Sequence, residues 1–194
     1  MYHSALISVY DKCCITDVVK HLANQNIKII STGGTAALLR KKGYHVIEVS
    51  SITNFSEIMS GRVKTLHPKI FGGILARRNI HSDLKELNNI GAIPIDIVIV
   101  NLYPFKEMSK KNLDEQQLLE FIDIGGVSLI RAAAKNYKDV IVITDKEDYP
   151  LILKCVNQKK QFPPEIRKKL AIKAFKTTAL YDKTIYQILQ NYSL

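Results

Sequence analysis

The 194 residues include no tryptophan, only three cysteines, six prolines and nine glycines. Three cysteines, two of them adjacent (Cys13 and Cys14), cannot build a disulfide framework, and their spacing is not that of a zinc site. They read as small side chains, buried or half-buried, and a reducing cytoplasmic setting fits. No apolar run approaches the ~18 residues that a membrane helix needs. The opening "MYHSALISVYDK" carries no basic stretch ahead of its apolar one, so it reads as a first strand and not as a signal peptide. Internal repeats and low-complexity stretches are absent. So are a dinucleotide fingerprint and a Walker loop.

What is present suits one domain with a real core: 46% of the residues are hydrophobic and 24% charged. The net charge is +10, and it is unevenly spread. Residues 151–194 hold nine basic and two acidic side chains, leaving only +3 for the preceding 150. A basic tail can bind nucleic acid. No aromatic interleaving accompanies it here, so a solvated basic helix face is the better reading.

Apolar runs alternate with helical patterns. "ALISVY" (5–10), "IKIIST" (27–32), "HVIEV" (45–49), "IDIVIVN" (95–101) and "DVIVIT" (139–144) read as strands. The last two are nearly continuous β-branched runs, as in strands buried on both faces. Ile15, Val18, Val19 and Leu22 fall at helix spacing, and "GGTAALLRKKG" reads as a second helix ending near Gly43. "HSDLKELNNIG" and "LDEQQLLEFI" are further helices, and residues from about 164 onward form one or two more. The alternation predicts an α/β domain with a mostly parallel sheet.

Parallel sheets place ligands at the carboxyl ends of their strands. Three such ends carry polar loops: "SVYDK" (8–12), "STGGT" (31–35) and "NLYPF" (101–105). In "STGGT" two glycines permit close backbone approach, three hydroxyls surround them, and a helix N-terminus follows. That is the chemistry of a phosphate cradle, though an ordinary strand–helix turn reads the same way. Lys12 stands ready to neutralise a phosphate. "GRVKTLHPKI" (61–70) adds Arg62 and Lys64 on a loop that is neither helix nor strand, with Val63 and Leu66 expected to anchor it by burial. A nucleoside monophosphate would suit these groups. "FIDIGGVSLIRAAAKN" (121–136) places Asp123 at a helix entrance and Lys135 near its end, where the dipole favours each charge.

In order and spacing, "SVYDK", "STGGT", "GRVKTLHPKIFGGILARR", "NLYPF" and "DIGGVSLIRAAAKN" closely resemble the IMP cyclohydrolase domain. In that family it forms the N-terminal part of the bifunctional AICAR transformylase/IMP cyclohydrolase of purine biosynthesis. The resemblance implies a methylglyoxal-synthase-like three-layer α/β/α sandwich plus C-terminal helices. Residues 1–150 would be the cyclohydrolase domain and 151–194 its helical extension, with the transformylase domain absent. It implies closure of 5-formamidoimidazole-4-carboxamide ribotide to IMP with loss of water, without metal or other cofactor. It also implies a homodimer, and no role for nucleic acid or membrane.

Carried over by position, Lys64 resembles the lysine that polarises the reacting groups and Lys135 the proton donor/acceptor. Tyr103 and Asp123 resemble supporting hydrogen-bonding residues. Ser8, Asp11, Lys12, Thr32, Gly33, Gly34, Thr35, Arg62, Val63 and Thr65 resemble the nucleotide-binding set. Asn101 and the backbone around Val100 and Ile124 would meet the base. His67 is left with a structural role. Two positions depart from the family pattern: Tyr10 stands where Ser is common, and Phe71 where His is common. The alternative is a non-catalytic regulatory module of the same fold, against which the joint presence of Lys64, Tyr103, Asp123 and Lys135 argues. The aspartate and histidine pattern of methylglyoxal synthase is not found.

Overall fold

The structure is a computed structural model, and it describes residues 2–111, 113–157 and 162–190. Five parallel strands form one sheet in the order β3-β2-β1-β4-β5. They are β1 (Ser4–Val9), β2 (Lys28–Ser31), β3 (Ile47–Glu48), β4 (Ile97–Asn101) and β5 (Ile141–Ile143). The central strands are the β-branched runs, and Leu6, Ile7, Ile97, Val98, Ile99 and Val100 are all buried. The run at 45–49 yields only a two-residue edge strand, because Val49 already opens a short helix. An edge strand has one neighbour, so little pairing holds it in register.

Helices α1 (Ile15–Asn24) and α2 (Gly33–Lys41) return the chain from β1 to β2 and from β2 to β3. Helices α3 (Val49–Thr53), α4 (Pro68–Leu75) and α5 (His81–Asn89) fill the long crossover to β4. Short helices α6 (Phe105–Met108) and α7 (Glu115–Leu119) precede α8 (Gly125–Lys135), which leads to β5. α9 (Tyr149–Asn157) packs on α1, and α10 (Pro164–Gln190) packs on α8 and β5. With right-handed crossovers, α1 and α2 lie on one face of the sheet and α4, α5 and α8 on the other, giving an α/β/α sandwich.

The expected "one or two" C-terminal helices are one helix of 27 residues. Residues 191–194, part of the same expectation, lie outside the described residues. A second apolar cluster of Phe105, Met108 and Leu118 binds α6 and α7 to Tyr181, Ile185 and Ile188 of α10. Two of the cysteines depart from expectation: Cys13 and Cys14 are exposed, and only Cys155 is half-buried. Both exposed cysteines lie in the loop that joins β1 to α1, outside the apolar period of the helix. Among the described residues no helix is long and apolar enough to cross a membrane.

Candidate active site

The strand order reverses between β1 and β4, and the crevice at such a switch point, beyond the carboxyl ends of the strands, is where open parallel sheets bind ligands. A cleft of about 690 Å³ lies there. β1 ends in it with Ser8 and Val9, followed by Tyr10 and Lys12; Thr32, Gly34 and Thr35 follow β2; and β4 ends in it with Asn101, followed by Tyr103. The 61–66 loop and residues 119–126 form its other walls. A smaller recess of about 190 Å³ adjoins it, sharing Thr32 and Lys64 and adding Gly33, Arg40 and Glu48.

The cradle is built from a helix start and two ammonium groups. α2 opens on Gly33, whose φ of +54° suits glycine, and its first turn contains no acidic side chain. A Cβ on Gly33 would stand 3.5 Å from Lys64 Nζ, and one on Gly34 3.8 Å from Lys12 Nζ. Both cations therefore stand within van der Waals reach of the helix start. Among the described residues, no carboxylate lies within salt-bridge distance of either ammonium. The Thr35 hydroxyl is engaged already, accepting from the Val9 amide at 3.1 Å and donating to the Val9 carbonyl at 3.0 Å. It fastens α2 to the end of β1.

The stretch expected to be neither helix nor strand over 61–70 runs as a loop only to His67, because Pro68 opens α4, and it is held by backbone and by one buried hydroxyl residue. Ile58 and Val63 pair across a tight turn in which Gly61 has a φ of +86°. Val63 is half-buried as expected, but Leu66 is exposed, and Thr65 is the residue the loop buries. The reason is proximity: the Thr65 hydroxyl packs against Gly125 at the start of α8, where a Cβ would lie 2.8 Å away. His67 caps α4, its Nδ1 accepting from the Lys69 amide at 3.1 Å, with Pro68 in the first helical position. Arg62 reaches across the mouth to Glu120, with Nε 3.1 Å from one carboxylate oxygen. Both partners are well exposed, so salt screens this pair and its stabilisation is small.

Asp123 is the most constrained group in the cleft. Its Oδ1 accepts from the Gly126 amide at 2.6 Å, closing the first turn of α8. A Cβ on Gly126 would come within 2.4 Å of the carboxylate, so any side chain there would have to displace it. Burial pushes the Asp123 carboxyl above the usual range, against the Gly126 amide and the Lys64 charge, which pull it down. Its own backbone amide donates to the Tyr181 hydroxyl at 2.8 Å, and that hydroxyl donates to the Phe121 carbonyl at 3.1 Å. Burial pushes the Tyr181 phenol up to about 12, so it stays protonated and keeps both bonds. Tyr181 gave no signal in the sequence, being one tyrosine in a basic helical tail. Glu120 and Ile122 were likewise unforeseen in the cleft wall.

Tyr103 stands beside Asp123, and burial, then the Asp123 charge, raise its phenol. The Tyr10 ring packs on Tyr103 at 5.0 Å between centroids, and Phe121 meets Tyr103 edge-on at 6.5 Å. Tyr10 has thus turned across the mouth toward Tyr103. Phe71 packs against the main core.

Other expected site residues stand differently. Asp11 turns out of the cleft to pair with Lys146 at 2.9 Å. The Val100 side chain is buried in the sheet, leaving only its backbone for a ligand. Asn101 works as a clasp: its Oδ1 accepts from the Tyr10 and Asp11 amides at 2.6 and 3.1 Å, and its Nδ2 donates to the Asp11 carbonyl at 2.9 Å. Ile124 is exposed at the cleft wall. Lys135 does not reach the cleft. It sits exposed at the far end of α8, roughly 15 Å from Gly125 at 1.5 Å per residue.

The family model for the MGS-like domain matches residues 14–128. That for the AICARFT/IMPCHase bienzyme matches residues 133–193. The bifunctional purine biosynthesis protein PurH of Fusobacterium nucleatum is 50% identical over 189 residues, covering 97% of this chain and 38% of the relative. Its counterpart in Persephonella marina is 48% identical, covering 97% of this chain and 37% of the relative. The chain therefore spans well under half the length of these curated relatives. A solved structure described as ForH superposes with a TM-score of 0.89 at 34% identity, covering 97% of both chains.

Proposed function

The chain belongs to the MGS-like domain family, and from that premise we propose that its cleft closes 5-formamidoimidazole-4-carboxamide ribotide to IMP. The observation that carries the reading is a pair of ammonium groups, Lys12 and Lys64, with no carboxylate in salt-bridge reach among the described residues, converging on the N-terminus of α2 with the half-buried Asp123 nearby. A helix start with free amides beside the Lys12 ammonium suits a phosphate monoester, and this leaves Lys64, whose charge also acts on Asp123, for the reacting groups. The match to PurH over nearly the whole chain supports the substrate class.

Ring closure joins the carboxamide nitrogen to the formyl carbon. The formyl oxygen becomes an oxyanion, then leaves as water with one proton from the carboxamide nitrogen and one from the formamido nitrogen. Lys64 would hold the oxyanion. Removing a single donor of that kind typically costs about 10²–10³ in turnover. Asp123, whose carboxyl burial raises above the ordinary range, is suited to accept the carboxamide proton. Tyr103 would orient the same group. Because both reacting arms belong to one molecule, holding them together supplies much of the rate.

Lys12, Gly33, Gly34 and Thr32 would hold the phosphate, with Ser8 and Arg62 nearer the ribose. Lys135 carries no step within a single chain. No observation favours the regulatory-module alternative. The reading includes a cytoplasmic homodimer, residues 151–194 as part of the same domain, and a transformylase domain elsewhere in the full-length protein.

The test is direct. The purified chain is mixed with the formylated ribotide, without metal or folate, and IMP absorbance is followed against a no-enzyme control. Rapid formation is expected. Tight IMP binding without closure would instead favour the regulatory module.

A further inference from the structure

The loop between β1 and α1 contains a feature that ring closure does not use. Cys13 and Cys14 are both exposed, and their sulfurs stand 3.2 Å apart. Adjacent side chains of an extended segment point to opposite sides. Here Cys14 adopts a left-handed conformation with φ +61°, and the turn brings the two thiols together. Asp11 fixes this geometry: one carboxylate oxygen accepts from the Cys13 amide at 2.9 Å, and the other meets Lys146 at 2.9 Å. The Lys146 ammonium thereby faces both thiols, with Lys12 and Asp17 the other charges nearby. The contact with Cys13 holds the Cys14 thiol above its ordinary value, so Cys13, the exposed thiol whose amide Asp11 fixes, is the attacking group and Cys14 the resolving one.

We propose that Cys13 and Cys14 form a vicinal dithiol that a small-molecule disulfide oxidises reversibly, and that its redox state sets the position of Lys12 in the cleft. The Cys13 thiolate attacks one sulfur of the small disulfide, forming a mixed disulfide and expelling one thiolate. The Cys14 sulfur loses its proton, attacks the Cys13 sulfur and expels the second thiol. Two protein thiols are oxidised, and one small disulfide is reduced to two thiols. The sulfurs must then close from 3.2 Å to roughly 2.05 Å. That contraction falls on the residue next to Lys12, whose ammonium now donates to the Tyr10 carbonyl at 3.2 Å beside Gly34. The coupling to Lys12 rests on the ribotide reading of the cleft, whereas the dithiol does not.

The full chain is incubated with oxidised glutathione, its mass is measured and its peptides are mapped. Loss of two hydrogens within the Cys13–Cys14 peptide is expected, and Cys14→Ser should carry one glutathione at Cys13 instead. Stable glutathione adducts on the parent chain, or no reaction at Cys13 and Cys14, overturn the proposal. IMP binding is then measured by calorimetry. The oxidised chain should bind about tenfold more weakly, the order expected for one charge-assisted bond. Dithiothreitol should restore binding, and the Cys13→Ser/Cys14→Ser chain should not respond to glutathione disulfide. Equal IMP binding by both redox states overturns the coupling. If the reduced chain binds no IMP, the ribotide reading fails, and the mass result alone decides the dithiol.

Discussion

The two ends of α8 teach different lessons about one stretch of sequence. At its start, Gly125 and Gly126 fit against Thr65 and Asp123, where any Cβ would clash. Asp123 is there half-buried, bonded to the first turn of the helix and held through its backbone by Tyr181. At the other end, Lys135 is exposed and faces no part of the cleft. It does what a cation at a helix C-terminus does, offsetting the dipole. Both residues stand in "DIGGVSLIRAAAKN", so nearness in a motif does not put two side chains into one site.

The largest expected effects fall on the glycine end. Gly126→Ala should displace the Asp123 carboxylate and lower turnover about as far as Asp123→Asn does, by 10²–10⁴-fold for the loss of a proton-transfer group. Initial rates of IMP formation check this, and an active Gly126→Ala chain would break the account of that end. Asp123→Asn should also lose the acidic limb of the pH–rate profile, because the parent loses activity as Asp123 takes up a proton. The fold should survive that substitution. A carboxyl raised above its unfolded value costs stability once ionised, and that cost disappears as pH falls through the raised value. Asp123→Asn should therefore melt no lower than the parent at neutral pH.

Tyr181→Phe sharpens the comparison by loosening the segment that leads into α8 without touching the cleft. It leaves the Asp123 amide and the Phe121 carbonyl short of a partner, at a cost of about 1–3 kcal/mol in chemical denaturation. Turnover should fall by less than in Asp123→Asn.

The smallest effect lies outside the cleft. Arg77 lowers Asp83 to about 2, so the pair adds stability above the ordinary carboxylate range and loses it as pH falls toward that value. Asp83→Asn should flatten acid unfolding between pH 4 and about 2 and lower neutral melting by the same small amount, because Arg77 is well exposed and the pair is screened.

Much of this was legible from residues alone. β-branched runs gave the central strands, and "STGGT" and "GRVKT" marked the loops that meet at the switch point. The alternation of strands and helices implied that these loops share one edge of the sheet. Other features depended on packing at a distance. Tyr181 lies 58 residues from Asp123 in sequence, and no local pattern links them. Thr65 is buried and Leu66 exposed because Gly125 leaves room for a hydroxyl, a fact held by another segment. Asp11 and Asn101 looked like ligand groups because polar residues at strand ends often are. Asp11 pairs instead with Lys146, while Asn101 lines the cleft and also clasps the β1 loop backbone.

The most direct measurement pairs Lys64→Ala with Lys135→Ala in the ring-closure assay, with melting curves for both. Lys64→Ala should lose about 10²–10³-fold in turnover, as for removal of one oxyanion donor, while Lys135→Ala stays close to the parent. A comparable collapse in Lys135→Ala, with its melting unchanged, would contradict the account, because the cleft of one chain would then be missing a group that the chemistry needs.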